Sequence, residues 1–213
     1  MRKVALGLVV PALLAFSVPT EPPSAAPSTR MAFHDAMRTL WVQHVEWTRM
    51  YIISAAAGLP DKDATTQRLL QNQTDIGNAA AEYYGRAAGD KLTALLKDHI
   101  LIAAELVTAA KAGDKTKVDA TNARWRANAG DIAVFLSGAN PKNWTRDALQ
   151  GLLITHLDQT LAEATHRLQG NYAADIRDYD AIEKHAIMMA DALSDGIMKQ
   201  FPQKFSGPMV SAK

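Results

Sequence analysis

A repeated pattern of histidine and glycine constrains the fold of this chain most strongly. The histidines His44, His99 and His156 lie in three similar stretches, LWVQHV, LLKDHI and LLITHL. A glycine follows each of them fourteen residues later, at positions 58, 113 and 170, where it can cap the end of a helix. The copies recur about every 56 residues, a spacing typical of duplicated helical hairpins. We therefore predict three copies of one hairpin.

The similarity continues into the second half of each predicted hairpin. The segment RLLQNQTDI aligns with RWRANAGDI, which pairs Asn72 with Asn128 and Asp75 with Asp131. In the third copy the segment AIEKHAIMM occupies this place, and His185 stands where the asparagines stood. The repeat therefore predicts equivalent positions for these side chains.

The apolar residues after Phe33 recur at spacings of three and four, and no strand-like alternation interrupts them. Clusters of Gly, Pro, Asn and Asp break the pattern into six segments. The predicted helices run over residues 33–57, 64–84, 89–112, 115–136, 145–170 and 173–200. Short connections favour antiparallel neighbours. We predict an all-α fold, an up-and-down bundle of six helices formed by three helical hairpin repeats, over residues 31–205.

The first thirty residues have the pattern of an export signal and a tether. Arg2 and Lys3 precede thirteen mostly apolar residues, and small residues follow near Ser17. We predict a signal peptide at 1–17, with a short uncleaved anchor as the alternative, a disordered linker at 18–30 and a flexible tail at 206–213. The expected location is periplasmic or secreted.

Composition limits the partners. The chain carries 23 basic and 22 acidic residues, so it lacks the large basic excess that nucleic-acid-binding proteins use to contact phosphates. Cleavage after Ser17 would remove Arg2 and Lys3, leave 21 basic residues against 22 acidic ones, and give a net charge of −1. We therefore expect no nucleic-acid partner and no stable membrane insertion after cleavage. Cysteine is absent, so thiolate metal sites and disulfides are excluded.

One polar side chain interrupts the apolar stripe of every predicted helix near its middle. If the helices align antiparallel without slippage, these side chains lie at one height in the core. We call them the histidine layer. Its members are His44, Asn72, His99, Asn128, His156 and His185.

The histidine layer has three interpretations at this stage. It could be a closed polar network that fixes helix register, because buried polar groups normally find partners. It could instead be a metal site. Neutral imidazole binds zinc and copper, and the metal-ligand candidates are His44, His99, His156 and His185. In that case Asp75 and Asp131 would each accept a hydrogen bond from a ligand imidazole and so fix its orientation. Met188 and Met189 would add soft donors for copper.

The third interpretation is a pocket for a small molecule, with the histidine layer as its floor. Trp41, Trp47, Trp125 and Met189 are the predicted lining. Haem is the least favoured cofactor. The two functions that follow are an exported protein that binds a metal ion or small ligand at this layer, and a non-catalytic structural or interaction protein whose layer is only a polar network.

Other signals are weaker. The segment Glu163-Ala-Thr-His166 has the E-x-x-H spacing of di-iron bundles, but those need two such motifs. We expect His166 to lie at a solvated helix end and His34 to be exposed. No nucleophile elbow or phosphate-binding loop occurs, so no catalytic residue is assigned.

The segments HVEWTRMYIISAAAGLPD, RLLQNQTDIGNA, LTALLKDHILIAAELVTAAKAGD and ANPKNW resemble a family of exported bacterial helical proteins with no established activity. The resemblance extends from about Leu40 to Phe201. Members carry enzyme labels such as glycosyltransferase or acetylglutamate kinase, and no nucleotide-binding α/β pattern here supports either. The resemblance implies a helical fold and export, and it supplies no catalytic residues.

Overall fold

A computed structural model of the chain describes residues 29–206, and its regular structure over that range is entirely helical. A short 3₁₀ helix at Pro202–Phe205 follows the last α-helix. The α-helices are α1 (Thr29–Ala57), α2 (Lys62–Tyr84), α3 (Arg86–Lys111), α4 (Lys115–Ala139), α5 (Arg146–Leu168) and α6 (Tyr172–Gln200). The predicted all-α class and the count of six helices are confirmed for this range.

Most predicted helix ends agree with the structure to within three residues. The exception is α1, which begins at Thr29 rather than Phe33, so the last two residues of the predicted linker are helical. Thr145 caps α5 as expected, because its hydroxyl accepts from the Ala148 N–H at 3.2 Å. The predicted signal peptide, and nearly all of the predicted linker and tail, lie outside the described residues. No helix within residues 29–206 is long and apolar enough to cross a membrane.

The repeated glycines Gly58, Gly113 and Gly170 end the first helix of each hairpin. Their φ angles are 70°, 71° and 73°, in the left-handed region that favours glycine. In each case the N–H of the next residue donates to the carbonyl oxygen five residues before it, at 2.9, 3.1 and 2.9 Å. This is the Schellman arrangement. The three copies therefore share one turn geometry as well as one sequence pattern.

The six helices form a closed ring. Each helix packs against the next one along the chain, and α6 returns to pack against α1. In addition, α1, α3 and α5 contact one another across the ring. These are the helices that carry His44, His99 and His156, so the hairpin repeat brings its three histidines to the bundle axis.

Two glycines, one on each helix, allow α2 and α3 to approach each other closely. A Cβ atom added to Gly77 would lie 2.7 Å from the carbonyl oxygen of Gly89, and one added to Gly89 would lie 2.6 Å from that of Gly77. Neither position has room for a larger side chain, and the two backbones therefore pack directly against each other.

Candidate functional site

The four layer histidines are buried together in the core. Their exposed fractions are 5% for His44 and His99, 4% for His156 and 6% for His185. The ring centroids of His44 and His156 lie 5.5 Å apart, and those of His156 and His185 lie 6.4 Å apart with the rings inclined by only 12°. His99 is close enough to lower the pKa of both His44 and His156. The sequence therefore placed these side chains correctly in one cluster.

A side-chain hydrogen bond recurs in all three hairpins. In each one, the layer residue of the second helix donates to the backbone carbonyl oxygen four residues before the layer histidine of the first helix. The three pairs are Asn72–Leu40 at 3.0 Å, Asn128–Leu95 at 3.1 Å and His185–Leu152 at 2.8 Å. Each bond ties the two helices of a hairpin together at the height of the layer.

In the second hairpin, Nδ1 of the layer histidine has a hydrogen-bond partner. Asn128 donates from Nδ2 to Leu95, so its Oδ1 faces Nδ1 of His99 at 2.7 Å. An amide oxygen only accepts, and the Nδ1 of His99 must therefore carry a proton. A neutral His99 then has its lone pair on Nε2.

The first hairpin uses an additional amide, Gln73, which sequence reasoning missed. Its Nε2 lies 3.2 Å from Nδ1 of His44, 2.9 Å from the carbonyl oxygen of Leu69 and 3.1 Å from Oδ1 of Asn72. Three acceptors compete for two protons, and the Oε1 of Gln73 is buried with no partner. The repeat gave no signal for this residue, because the aligned position in the second hairpin is Ala129.

The third hairpin leaves a ring nitrogen without a partner. Nδ1 of His156 is buried and makes no hydrogen bond. Its counterpart across the hairpin is His185, whose Nε2 is already bound to Leu152. An unpaired buried polar atom costs roughly 1–3 kcal/mol, so the layer is not a fully satisfied network.

Burial keeps His44, His99 and His156 neutral. It lowers the pKa of His44 to about 3 and that of His99 to about 4, although the hydrogen bond that His99 donates to Asn128 partly opposes the shift for His99. The pKa of His156 also falls well below its usual value, first because of burial and then because of the neighbouring imidazoles. These side chains therefore offer lone pairs at neutral pH without first losing a proton.

The expected role of the aspartates is corrected by their positions. Asp75 accepts from Gln71 at 2.9 Å and lies 3.9 Å from a guanidinium nitrogen of Arg68, near the surface. Asp131 is exposed. The Nδ1 atoms of His44 and His99 are bonded to the amides of Gln73 and Asn128 instead. Asp75 lies two positions after Gln73 and Asp131 lies three positions after Asn128, and on a helix these steps turn each aspartate away from the layer.

The predicted pocket lining divides between two apolar cavities on either side of the layer. Trp41 and Met189 line a cavity of about 60 Å³. Trp125 lines another of about 30 Å³. Trp47 lines neither of them and instead lies under the guanidinium of Arg68, 5.1 Å from its carbon. The indole N–H groups of Trp41 and Trp125 are buried without partners.

A polar groove on the outer face of α3 and α4 reaches the layer. Its volume is about 530 Å³, and Asn128 forms part of its lining together with Asp98, Asp131 and Arg124. Asn128 is 8% exposed and contacts His99 on its inner side. Solvent therefore approaches one edge of the layer through this groove.

Glu163 belongs to a buried charged cluster rather than to a di-iron motif. It is 1% exposed and accepts from Arg49 at 2.6 Å. The same Arg49 nitrogen donates to the fully buried Asp175 at 2.8 Å, and Arg167 donates to Asp175 at 3.3 Å. Burial raises the pKa of Glu163 to about 7, against the opposing effect of Arg49. The cluster joins α1, α5 and α6.

The two remaining histidines are half-buried, so the expectations for them are corrected. His166 has its Nδ1 2.6 Å from a carboxylate oxygen of Asp178. His34 lies between Ser194 and Asp195, at 3.1 Å from each. That arrangement has the residue types of a catalytic triad, but Ser194 is fully buried and bonds its own helix at Ala190, so no substrate reaches it.

The described residues do not form a metal site with three or more protein ligands. Within residues 29–206, no group of three or more His, Cys, Asp and Glu side chains is arranged to hold a metal ion. The chain was also compared with known proteins, and no protein family, curated protein or solved structure matches it.

Proposed function

We propose that this protein binds one transition-metal ion at the histidine layer. The observation that carries the proposal is the buried Nδ1 of His156, which has no hydrogen-bond partner although three other imidazoles surround it. A buried unpaired polar atom is costly, and in the tautomer with its lone pair on Nδ1 an ion bound there would remove that cost.

The size of the cavities favours an ion over an organic ligand. Pockets for small molecules usually have about 300–1,000 Å³. The two apolar cavities beside the layer have about 60 and 30 Å³, and neither has room for haem, while the larger groove at Asn128 lies on the outer face of α3 and α4. A single ion needs only the space between the rings.

The protonation states also suit metal binding. Ligand imidazoles must be neutral, and the lowered pKa values of His44, His99 and His156 keep them so at pH 7. Asn128 accepts a hydrogen bond from Nδ1 of His99 and leaves the Nε2 lone pair free for a metal. Metal-bound histidines are commonly oriented by such a hydrogen bond on their other ring nitrogen. Since no three ligands are in place, binding by more than two histidines requires ring rotation toward the cavities.

A second candidate function is a structural or interaction protein that uses the layer only to fix helix register. The repeated hydrogen bonds to Leu40, Leu95 and Leu152 favour it, because each one specifies how two helices align. On this view the remaining burial in the core offsets the cost of the unpaired atoms.

Metal analysis separates the two functions. The protein would be purified without chelator, analysed for metals and then titrated with zinc and with copper. We expect one bound ion, a lower content in His156→Ala, and an unchanged content in His166→Ala, which alters a histidine outside the layer. Circular dichroism would verify that each variant folds. If His99→Ala and His156→Ala both keep the wild-type metal content, the metal proposal is wrong and the structural function remains.

A further inference from the structure

The third hairpin is the place where the repeat changes, and the change points to a ligand. In the first two hairpins the layer residue of the second helix is an asparagine, Asn72 or Asn128. In the third it is His185, which makes the same bond to a backbone carbonyl but offers no amide oxygen to its partner. Nδ1 of His156 therefore loses the partner that Asn128 gives to His99.

This substitution leaves two unshared ring nitrogens in one hairpin. The Nε2 of His185 donates to Leu152, so a neutral His185 has its lone pair on Nδ1. His156 has an unbonded Nδ1 as well. The rings are nearly parallel, with centroids 6.4 Å apart. Metal–nitrogen bonds of about 2.0 Å place two donors about 4 Å apart across an ion, a spacing that rings with this centroid separation reach when their Nδ1 atoms turn toward each other.

The surroundings select an ion of low charge. The layer holds no carboxylate, because Asp75 and Asp131 lie elsewhere. The cost of burying an ion among neutral ligands grows with the square of its charge, which favours a monovalent ion over a divalent one. Met189, buried one turn after His185 on the same face of α6, adds a soft thioether to the environment. Soft surroundings and few ligands suit copper(I) among the first-row metals.

We propose that His156 and His185 bind one copper(I) ion between them, as the specific form of the metal binding proposed above, on which this inference rests. The groove that ends at Asn128 is the approach to the layer from solvent.

The variant His185→Asn tests this assignment with little risk to the fold, because it restores the residue that the other two hairpins use. The experiment is an anaerobic copper(I) titration of the full chain in competition with a chromophoric copper(I) chelator. We expect the wild type to bind one equivalent and His185→Asn to bind at least about tenfold more weakly, a difference of about 1.4 kcal/mol. His166→Asn serves as the control, because His166 lies outside the layer and pairs with Asp178, and its affinity should remain within about threefold of the wild type.

Circular dichroism and thermal unfolding would verify that His185→Asn and His166→Asn fold. If His185→Asn binds copper(I) as tightly as the wild type, this inference is overturned while metal binding by the layer survives. Stoichiometric zinc binding without copper(I) binding would likewise overturn this inference and leave metal binding by the layer standing. If the wild type binds neither ion, the inference and the proposed function both fall.

Discussion

His44 and His156 face each other at the centre of the bundle with ring centroids 5.5 Å apart, although they belong to the first and the third hairpin. Both rings are excluded from water, and a proton on one would repel a proton on the other. Protonation of these rings at low pH would therefore place charge inside the core, where the first and third hairpins meet.

The first prediction concerns acid stability of the metal-free protein. The pKa of His44 is lowered to about 3 and that of His99 to about 4, whereas an unfolded histidine titrates near 6.5. The unfolded state thus binds more protons than the folded state between these values. The stabilising contribution of each ring is complete above pH 6.5 and is lost as the pH falls toward 4. We expect the free energy of unfolding to drop by up to about 1.4 kcal/mol per pH unit for each such ring.

Urea unfolding in chelator-treated buffer at several pH values between 7.5 and 4.5 measures this slope. His99→Gln should reduce the slope, because it removes one titrating ring while keeping an amide that can bond to Asn128. A free energy of unfolding that stays constant from pH 7 to pH 5 would contradict the prediction.

The second prediction uses the repeat as its own control. Asn128→Ala removes two hydrogen bonds and leaves the Nδ1–H of His99 unpaired, while the carbonyl oxygen of Leu95 keeps its bond within α3, so we expect a loss of about 1–3 kcal/mol. Asn128→His copies the third hairpin, where His185 bonds to the equivalent carbonyl oxygen. It should therefore lose less than Asn128→Ala in urea unfolding. Equal losses for the two variants would mean that the hairpins are not equivalent at this position.

The sequence predicted the fold because its signals were local and repeated. Gly58, Gly113 and Gly170 each mark a left-handed helix end, and their common spacing from a histidine indicated three equal hairpins. Short connections then allowed little besides antiparallel neighbours. The start of α1 at Thr29 was missed, because a proline-rich stretch precedes it and the polar residues there resemble a linker.

The site was predictable in its members and unpredictable in its contacts. Helix periodicity placed the four imidazoles in the core, since one face of each helix must be buried. It could not decide which neighbour bonds to a ring, and the choice of Asp75 over Gln73 was wrong for that reason. The pairing of Arg49 with Glu163 was equally invisible, because the two residues lie far apart in the chain and neither belongs to the repeat.

The third prediction concerns Glu163. Burial raises its pKa to about 7 from an unfolded value of 4.5, so the folded state prefers its protonated form. The contribution of Glu163 is fully present below pH 4.5 and is lost as the pH rises through 7. Its effect therefore opposes that of the layer histidines. In Glu163→Gln the group no longer titrates, and the free energy of unfolding relative to the wild type should rise by up to about 3 kcal/mol between pH 4.5 and 8.

Parallel urea titrations of the wild type and Glu163→Gln at pH 4.5, 6 and 8 would check this. The measured quantity is the change in their difference with pH, which removes any effect of the amide on the bond to Arg49 that does not depend on pH. Glu105→Gln is a suitable control, since Glu105 lies near the surface and its pKa is lowered by Arg124. A difference that falls as the pH rises would show that the Arg49 bond outweighs burial.

The fourth prediction compares two glycines within helices. A methyl group at Gly77 would lie 1.9 Å from the Thr93 hydroxyl and 2.7 Å from the backbone oxygen of Gly89, and the second clash requires α2 and α3 to separate. We expect Gly77→Ala to cost about 1–3 kcal/mol. At Gly130, inside α4, no atom lies within 4 Å of an added Cβ, so Gly130→Ala should stabilise the protein by about 0.5–1 kcal/mol through helix propensity. The unfolding temperature should therefore fall for Gly77→Ala and rise for Gly130→Ala, and a rise for Gly77→Ala would disprove the close α2–α3 crossing.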